Sequence, residues 1–298
     1  MESEKAMYLK IIGIVFPIFA VVVVGYLYGR YHRPNMVAAN QVNMDIFVPA
    51  LVFSALAGRS FSFNDVGMVA IGGALIVLGS GLLGLPLARA MGYAPKTLLP
   101  PMMFKNAGNM GLPLLIFAFG DSALPAAVIL FLIENMLHFT ISPYWLGHNF
   151  RLWRLFRVPV FAAGLAGVAV SLLNLTLWPP ILAATKVVGD VSTGLMLFSL
   201  GVRLNTAPFA QWRIGLVGAI ATPATGMLIA YVFCWLFDLS HREKDVLLLF
   251  GALPPAVLNF MFAERFHQEP DKVASIVIMG TLGSLVSVSV ALLIRLSS

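Results

Sequence analysis

The stretch NAGNMGLP, residues 106–113, places loop-forming residues in the middle of an apolar run. TLLPPMMFK precedes it and LLIFAFG follows it, so its surroundings are built for burial. Two Asn, two Gly and a Pro disfavour a continuous helix, because Gly loosens the backbone and Pro removes an amide donor. The stretch therefore predicts a helix that is interrupted inside an apolar environment.

The composition of the whole chain explains that environment. Of the 298 residues, 59% are hydrophobic and 11% are charged, with a mean hydropathy of +0.90. Soluble domains carry about 25% charged residues, and runs of about 20 apolar residues suffice to span a bilayer. The sequence predicts an all-α polytopic membrane protein. The net charge of +6 comes from short loops rather than a basic domain, so no nucleic-acid partner is expected.

Ten membrane spans fit the apolar runs, joined by short loops. They cover residues 7–29, 37–57, 66–90, 97–119, 122–147, 158–177, 181–203, 211–236, 243–265 and 271–295. No small-residue cleavage site follows MESEKAMYLK, so the first helix is expected to be retained. With Cys234 as its single cysteine, one chain can form no disulfide framework or Cys-based metal site, and no cofactor is expected.

The distribution of Lys and Arg predicts the orientation in the membrane. Loops after odd-numbered spans hold eleven of these residues, the opposite side holds seven, and Lys105 lies within a span. Because cytoplasmic loops are enriched in Lys and Arg, both termini are expected outside and the basic loop at 148–157 in the cytoplasm. The expected location is the cytoplasmic (inner) membrane.

The two halves of the chain, 1–150 and 151–298, align at an offset of 145 or 146 residues. DIFVPALVFSAL (45–56) meets DVSTGLMLFSLG (190–201), Phe104 meets Phe250, and Pro113 lies opposite Asn259. Five spans per half is an odd number, so the second copy must be inverted in the membrane. Inverted repeats with interrupted, corresponding spans are typical of secondary transporters.

The second interruption, GALPPAVLNF (251–260), contains Pro254, Pro255 and Asn259. Helix breaks at membrane depth are tolerated only where protein or a water-filled cavity satisfies the backbone. We expect Asn109 to cap the second half-helix of span four, with Pro113 in its first turn. Half-helix amino termini carry free amides and a positive dipole end, which predicts an anion site near the midplane.

Three stretches resemble the auxin efflux carrier family, which includes plant PIN-type carriers and bacterial malonate or malate permeases. They are NQVNMDIFVPALVFSAL in span two, MGLPLLIFAFG in span four and ALPPAVLNFMFAERFHQEPDKVASIVIMGTL in spans nine and ten. The resemblance covers most of the chain. Plant carriers have proline where this chain has Asn259, and their long cytoplasmic loop is reduced here to about ten residues, which fits a prokaryotic member.

The resemblance implies two inverted five-helix repeats in which spans four and nine cross. Spans 1, 2, 6 and 7 would form a scaffold, expected to dimerise, and spans 3–5 and 8–10 a transport domain that moves as an elevator. The family's carboxylate-binding asparagine falls on Asn106, seven residues before Pro113, the expected crossing proline. The substrate-binding candidates are Lys105, Asn106, Asn109, Gly111, Pro113, Pro254, Pro255 and Asn259.

Five ionisable residues fall well within predicted spans: Asp45, Lys105, Glu134, His138 and Asp190. Charges at such depth are costly and are functional hypotheses by default. Lys105 would pair with a substrate carboxylate or a nearby acid, or else snorkel to the interface. Glu134 and His138, four residues apart, are coupling candidates as a proton relay or form a structural pair. Asp45 and Asp190 are further coupling candidates that would pair with lysine or cap helix ends.

The leading hypothesis is a secondary carrier of small organic anions such as malonate, malate or auxin-like acids. An anion channel or membrane sensor at the same site is one alternative, and a sodium-coupled bile-acid-type symporter is another. The sequence leaves proton, sodium and no coupling open. An enzyme is not expected, because no nucleophile–base pair or metal cluster stands out.

Overall fold

The computed structural model describes residues 2–58, 63–147, 158–206 and 211–296. The regular elements in these ranges are helices, which confirms the all-α class. The α-helices are α1 Glu2–His32, α2 Val37–Val42, α3 Val48–Ala57, α4 Phe63–Ala90, α5 Pro95–Met103, α6 Leu112–Phe119, α7 Leu124–Trp145, α8 Pro159–Leu172, α9 Pro179–Arg203, α10 Trp212–Leu236, α11 His241–Ala252, α12 Leu258–Arg265 and α13 Pro270–Leu296. Two π-helical turns, Asn43–Phe47 and Ala107–Gly111, precede α3 and α6.

Seven helical stretches in the described residues are long and apolar enough to cross a membrane. Two shorter apolar stretches, Ala107–Phe119 and Pro159–Leu172, fall on the predicted fourth and sixth spans. These helices make the chain a multi-pass membrane protein. The expected boundary between the repeats at 150/151 and the basic loop at 148–157 lie outside the described residues.

The helices pack into two groups. In the first group, α1 packs on α9, and α3 packs on both α8 and α9. The second group contains α4, α5, α7, α10, α11 and α13, with α10 contacting α4, α11 and α13. Small residues allow the closest approach in the first group, because a Cβ on Gly25 would lie 2.2 Å from the Phe198 carbonyl oxygen.

The two interrupted segments, residues 95–119 and 241–265, begin and end at the predicted offset of 146 residues. Their interiors differ. The first half-helix, α5, has 9 residues and is followed by the π-helical turn, whereas α11 has 12 residues. The extra helical turn in α11 shifts the second break relative to the first.

Each interrupted segment is fastened to the end of the other. The Gln268 amide, just after α12, donates to the Thr97 hydroxyl at the start of α5, over 3.0 Å. At the opposite end, Arg242 at the start of α11 donates to the Phe119 carbonyl at the end of α6, over 3.1 Å. These two bonds hold the four half-helices together at both ends.

Candidate substrate site at the helix crossing

The two interrupted segments meet through their backbones at residues 104–106 and 254–256. An isolated antiparallel bridge joins Lys105 to Pro255. Its two hydrogen bonds run from the Asn106 amide to the Pro254 carbonyl, 2.7 Å, and from the Ala256 amide to the Phe104 carbonyl, 2.9 Å. Each break therefore supplies the partners that the other break lacks, as a backbone inside a bilayer requires.

The crossing lies away from Pro113, the residue at which the family resemblance placed it. Pro113 is the second residue of α6 and occupies the first turn of that helix, as expected for proline there. Two prolines lie at the contact: Pro254, whose carbonyl accepts from the Asn106 amide, and Pro255, which packs on α13. A Cβ on Gly280 of α13 would lie 2.4 Å from the Pro255 Cδ, so the glycine makes room for the ring.

The two asparagines at the crossing have different roles. The Asn259 side-chain amide donates to the Phe104 carbonyl at 2.9 Å and to the Ala256 carbonyl at 3.0 Å. The Asn106 Nδ2 is buried and has no hydrogen-bond partner. Since a carboxylate needs donors, the free donor of Asn106 makes it the stronger ligand candidate, while Asn259 supports the crossing.

The expected cap by Asn109 differs from what the structure shows. Asn109 lies half-buried inside the π-helical turn, and α6 is preceded by Gly111 without a side-chain cap. The amides of Met110 and Gly111 are both directed at the Asn106 carbonyl, at 3.3 and 2.9 Å. A Cβ on Gly111 would lie 2.8 Å from the Leu253 Cδ1, so the end of the Leu253 side chain would have to shift to admit one.

Lys105 is fully buried rather than snorkelling to an interface. Its ammonium donates to the Thr222 carbonyl of α10 over 2.9 Å. The side chain passes over Gly226, where a Cβ would lie 2.5 Å from the Lys105 Nζ and 2.3 Å from the Gly251 carbonyl oxygen. The ammonium is thus seated among protein groups, and substrate binding by Lys105 stays a prediction.

Glu134 and His138 of α7 form a buried pair beside the crossing. The Glu134 Oε1 and the His138 Nδ1 are 3.3 Å apart. The imidazole ring stacks on Phe104, with ring centroids 4.1 Å apart, and meets the edge of Phe262 at 5.3 Å. Lys105 interacts electrostatically with Glu134, so a basic and an acidic side chain share this interior.

The aspartates of the two aligned stretches lie elsewhere. Asp45 is exposed in the first π-helical turn. Asp190 is exposed on α9 and pairs with Lys186 at 3.3 Å. Pairing with a lysine is one of the two roles predicted for it. Lys186 also contacts Asp121, at 3.4 Å. The structure does not bring either aligned aspartate into contact with the crossing.

A cavity of about 180 Å³ lies between the two helix groups, close to the crossing. Its walls include Leu200 and Arg203 from the end of α9 and, on the other side, Val257 and Thr281. Drug-sized pockets begin at about 300 Å³. The cavity therefore suits a small ligand, and Arg203 gives it a cationic wall.

Sequence reasoning missed three contributors around the site. Thr222 and Gly226 lie in the stretch ATPATG (221–226), whose small residues and single proline are ordinary in a membrane helix. Ser142 is buried one turn beyond His138, on the same face as Glu134. Extending the i, i+4 spacing of Glu134 and His138 by one more step would have found it.

A buried crossing of two interrupted helices, inside a multi-pass bundle, is the arrangement that the sequence associated with transporters. Comparison with known proteins supports that class. Residues 142–292, half of the chain, match the family model described as membrane transport protein. The chain is also 24% identical, over 310 residues, to a Rhizobium meliloti (strain 1021) protein named "Putative malonate transporter", with 94% of each chain covered.

The chain belongs to this membrane transport protein family, that of the auxin efflux carriers. The family resemblance seen in spans two, four, nine and ten is thereby confirmed. The protein is a membrane transporter.

Proposed function

We propose that the protein is a secondary carrier of small organic anions, with carboxylates such as malonate or malate as substrates. The observation that carries this proposal is the unpartnered, buried Asn106 Nδ2 at the crossing. A buried donor without a partner costs about 1–3 kcal/mol, and a substrate carboxylate would relieve that cost. The malonate-transporter name of the Rhizobium relative supports the same substrate class.

The proposed binding site has one free amide donor and polar groups around it. Asn106 would donate to one carboxylate oxygen, and the backbone amides of the π-helical turn that contains Asn109 would lie close to the same anion. Asn259 would hold the Phe104 carbonyl in place while the substrate binds. A cationic group at the cavity wall, Arg203, would attract the anion toward this position.

The proposed mechanism is alternating access by an elevator motion. The first helix group, α1 to α3 with α8 and α9, would be the scaffold and the dimerisation surface. The second group, which carries the crossing, would be the transport domain. The division of contacts into these groups and the cavity between α9 and α12–α13 support this assignment. In sequence terms the proposal retains two inverted repeats, 1–150 and 151–298, of five spans each.

Converting Asn106 to aspartate tests the site. The change is nearly isosteric but replaces the free donor with an anion that repels a carboxylate. Asn106→Asp and the double change Asn106→Ala with Asn259→Ala should each reduce uptake of labelled malonate into proteoliposomes by about tenfold or more, the effect of 1.4 kcal/mol or more of lost binding.

Asn135→Ala is the matched control. Like Asn259, the Asn135 side chain donates to a backbone carbonyl, that of Phe131 at 2.8 Å, but it lies on α7. Its uptake should stay close to wild type. The size-exclusion profile of each variant separates a lost site from a lost fold. Normal malonate uptake by the double variant would refute the proposed site.

A further inference from the structure

Three buried polar residues form a row along one face of α7. Glu134, His138 and Ser142 are spaced four residues apart and are 2%, 0% and 1% exposed. The Glu134 Oε1 and the His138 Nδ1 lie 3.3 Å apart, His138 interacts with the Asn259 side chain, and the Ser142 hydroxyl has no hydrogen-bond partner among the described residues. Buried polar groups are nearly always paired, so a row of three buried polar residues that ends in an unpaired hydroxyl indicates a role beyond packing.

The row continues past Ser142 to the protein surface. A cavity of about 10 Å³ is lined by Ser142, Thr97 and Gln268, which is room for about one water molecule. Thr97 is fully buried and its hydroxyl donates to the Glu269 carboxylate. Glu269 pairs with Lys272, and both side chains are 35% exposed. The Ser142 hydroxyl, a space for one water, the Thr97 hydroxyl and the Glu269 carboxylate thus follow one another from the row to solvent.

The inner end of the row is the crossing itself. Glu134 interacts electrostatically with Lys105. His138 lies beside Asn259 and stacks on Phe104. A change in the charge of Glu134 would therefore alter the electrostatic surroundings of Lys105 at the bridge and of Asn259, which supports the bridge. This end lies where the proposed carrier would bind its substrate.

Resting on the proposed carrier function, we propose that the row is a proton path that couples transport to H⁺ entry at Glu269. A proton taken up at Glu269 passes through the Thr97 hydroxyl, one water and the Ser142 hydroxyl to a ring nitrogen of His138. The opposite ring nitrogen then releases a proton to Glu134. Each hydroxyl accepts one proton and passes on another, so every relay group returns to its starting charge and only Glu134 gains a proton.

The geometry favours a proton over a sodium ion. His138 is packed between the Phe104 ring and the Phe262 edge, and the cavity has room for about one water. A metal cation needs several oxygen ligands or its hydration shell, whereas a proton moves by exchange between neighbouring groups. The charged groups that face the path in the described residues are Lys105 at its inner end and Lys96, Glu269 and Lys272 at its mouth.

Ser142→Ala tests the path without altering the proposed substrate site. In proteoliposomes, malonate uptake driven by a pH gradient should fall about tenfold or more, a modest loss for a positioned proton-transfer group. Malonate counterflow at equal pH should stay close to wild type. In counterflow the carrier crosses the membrane with substrate bound in both directions, so it does not need to release its proton. Ser80→Ala is the matched control, since Ser80 is also buried and unpartnered but lies on α4.

Equal losses in gradient-driven uptake and counterflow would overturn the path, because they would mark Ser142 as structural. Unchanged gradient-driven uptake would overturn it too, as would wild-type uptake that follows a sodium gradient and ignores pH. In that last case the carrier function stands. If wild type shows neither uptake nor counterflow of malonate, malate or indole-acetate, the carboxylate carrier fails, and a second measurement decides the path.

The second measurement is water access to the path, which needs no substrate. Cys234→Ala removes the single cysteine, and Ser142→Cys or Ser80→Cys is added to it. Silver ion, a small thiol reagent, is applied to membranes, and remaining thiols are labelled with a maleimide after denaturation. Silver should protect the position 142 thiol and spare the position 80 thiol. Equal protection, or none at 142, would overturn the path.

Discussion

Replacing Lys105 with methionine should destabilise the folded protein by about 1–3 kcal/mol, the cost of leaving a buried hydrogen-bonding group without its partner. Lys105 is fully buried and Glu134 is 2% exposed, so neither side chain can turn to water. Without the Lys105 side-chain nitrogen, the Thr222 carbonyl loses its donor, and Glu134 loses its electrostatic interaction with Lys105. The measurement is thermal unfolding in detergent, followed by size-exclusion fluorescence.

A double-mutant cycle separates this charge effect from packing. Glu134→Gln alone should also destabilise, whereas Lys105→Met with Glu134→Gln should cost less than the sum of the two single changes, because their electrostatic interaction can be lost only once. Lys186→Met is the control, since its pairs with Asp121 and Asp190 are exposed and surface pairs contribute about 0–1 kcal/mol. Strictly additive losses in the cycle would show that Lys105 and Glu134 do not act as a pair.

Gly226→Ala should have a comparable effect for a steric reason. The added Cβ would lie 2.3 Å from the Gly251 carbonyl oxygen, which is backbone, and 2.5 Å from the Lys105 Nζ. Overpacking costs about 1–3 kcal/mol and more where neighbours cannot move. Since α10 and α11 would have to separate and uncover Lys105, we expect about 3 kcal/mol or more, with much less folded protein after extraction.

Gly194→Ala is the matched control for the glycine prediction. Gly194 lies within α9 and has nothing within 4 Å of an added Cβ. Alanine favours helix over glycine by about 0.8–1.0 kcal/mol, so this variant should be as stable as wild type or more stable. If Gly226→Ala unfolds at the wild-type temperature, the close contact between α10 and α11 is not present in the protein.

The sequence predicted the interrupted helices from local chemistry, and the ends of both segments fall at the predicted offset. The contact differs from the one that the family resemblance implied at Pro113, because the π-helical turn separates that proline from the residues that meet. The crossing therefore falls on Lys105 and Pro255 rather than on Pro113. The Gly and Pro content of the breaks shows that a helix ends but not which residues then touch.

The fate of Lys105 was open in the sequence for a different reason. Snorkelling and burial depend on what packs around the side chain, and its hydrogen-bond partner, Thr222, lies 117 residues away. No spacing rule links positions so far apart. Ser142, by contrast, repeats a spacing that was visible along α7. Its absence from the sequence prediction reflects the ordinary appearance of one serine in a membrane helix.

The bridge at the crossing also has a consequence for how the chain is made. The Phe104 carbonyl and the Asn106 amide obtain their partners from residues 254–256, about 150 residues later in synthesis. At about 5–20 residues per second, that delay lasts about 10–30 seconds. During this interval the two backbone groups of the first break lack the partners that they have in the folded protein. Water, the insertion machinery or a chaperone must supply hydrogen bonds in their place. The first half can therefore reach its final form only after most of the second half has been synthesised.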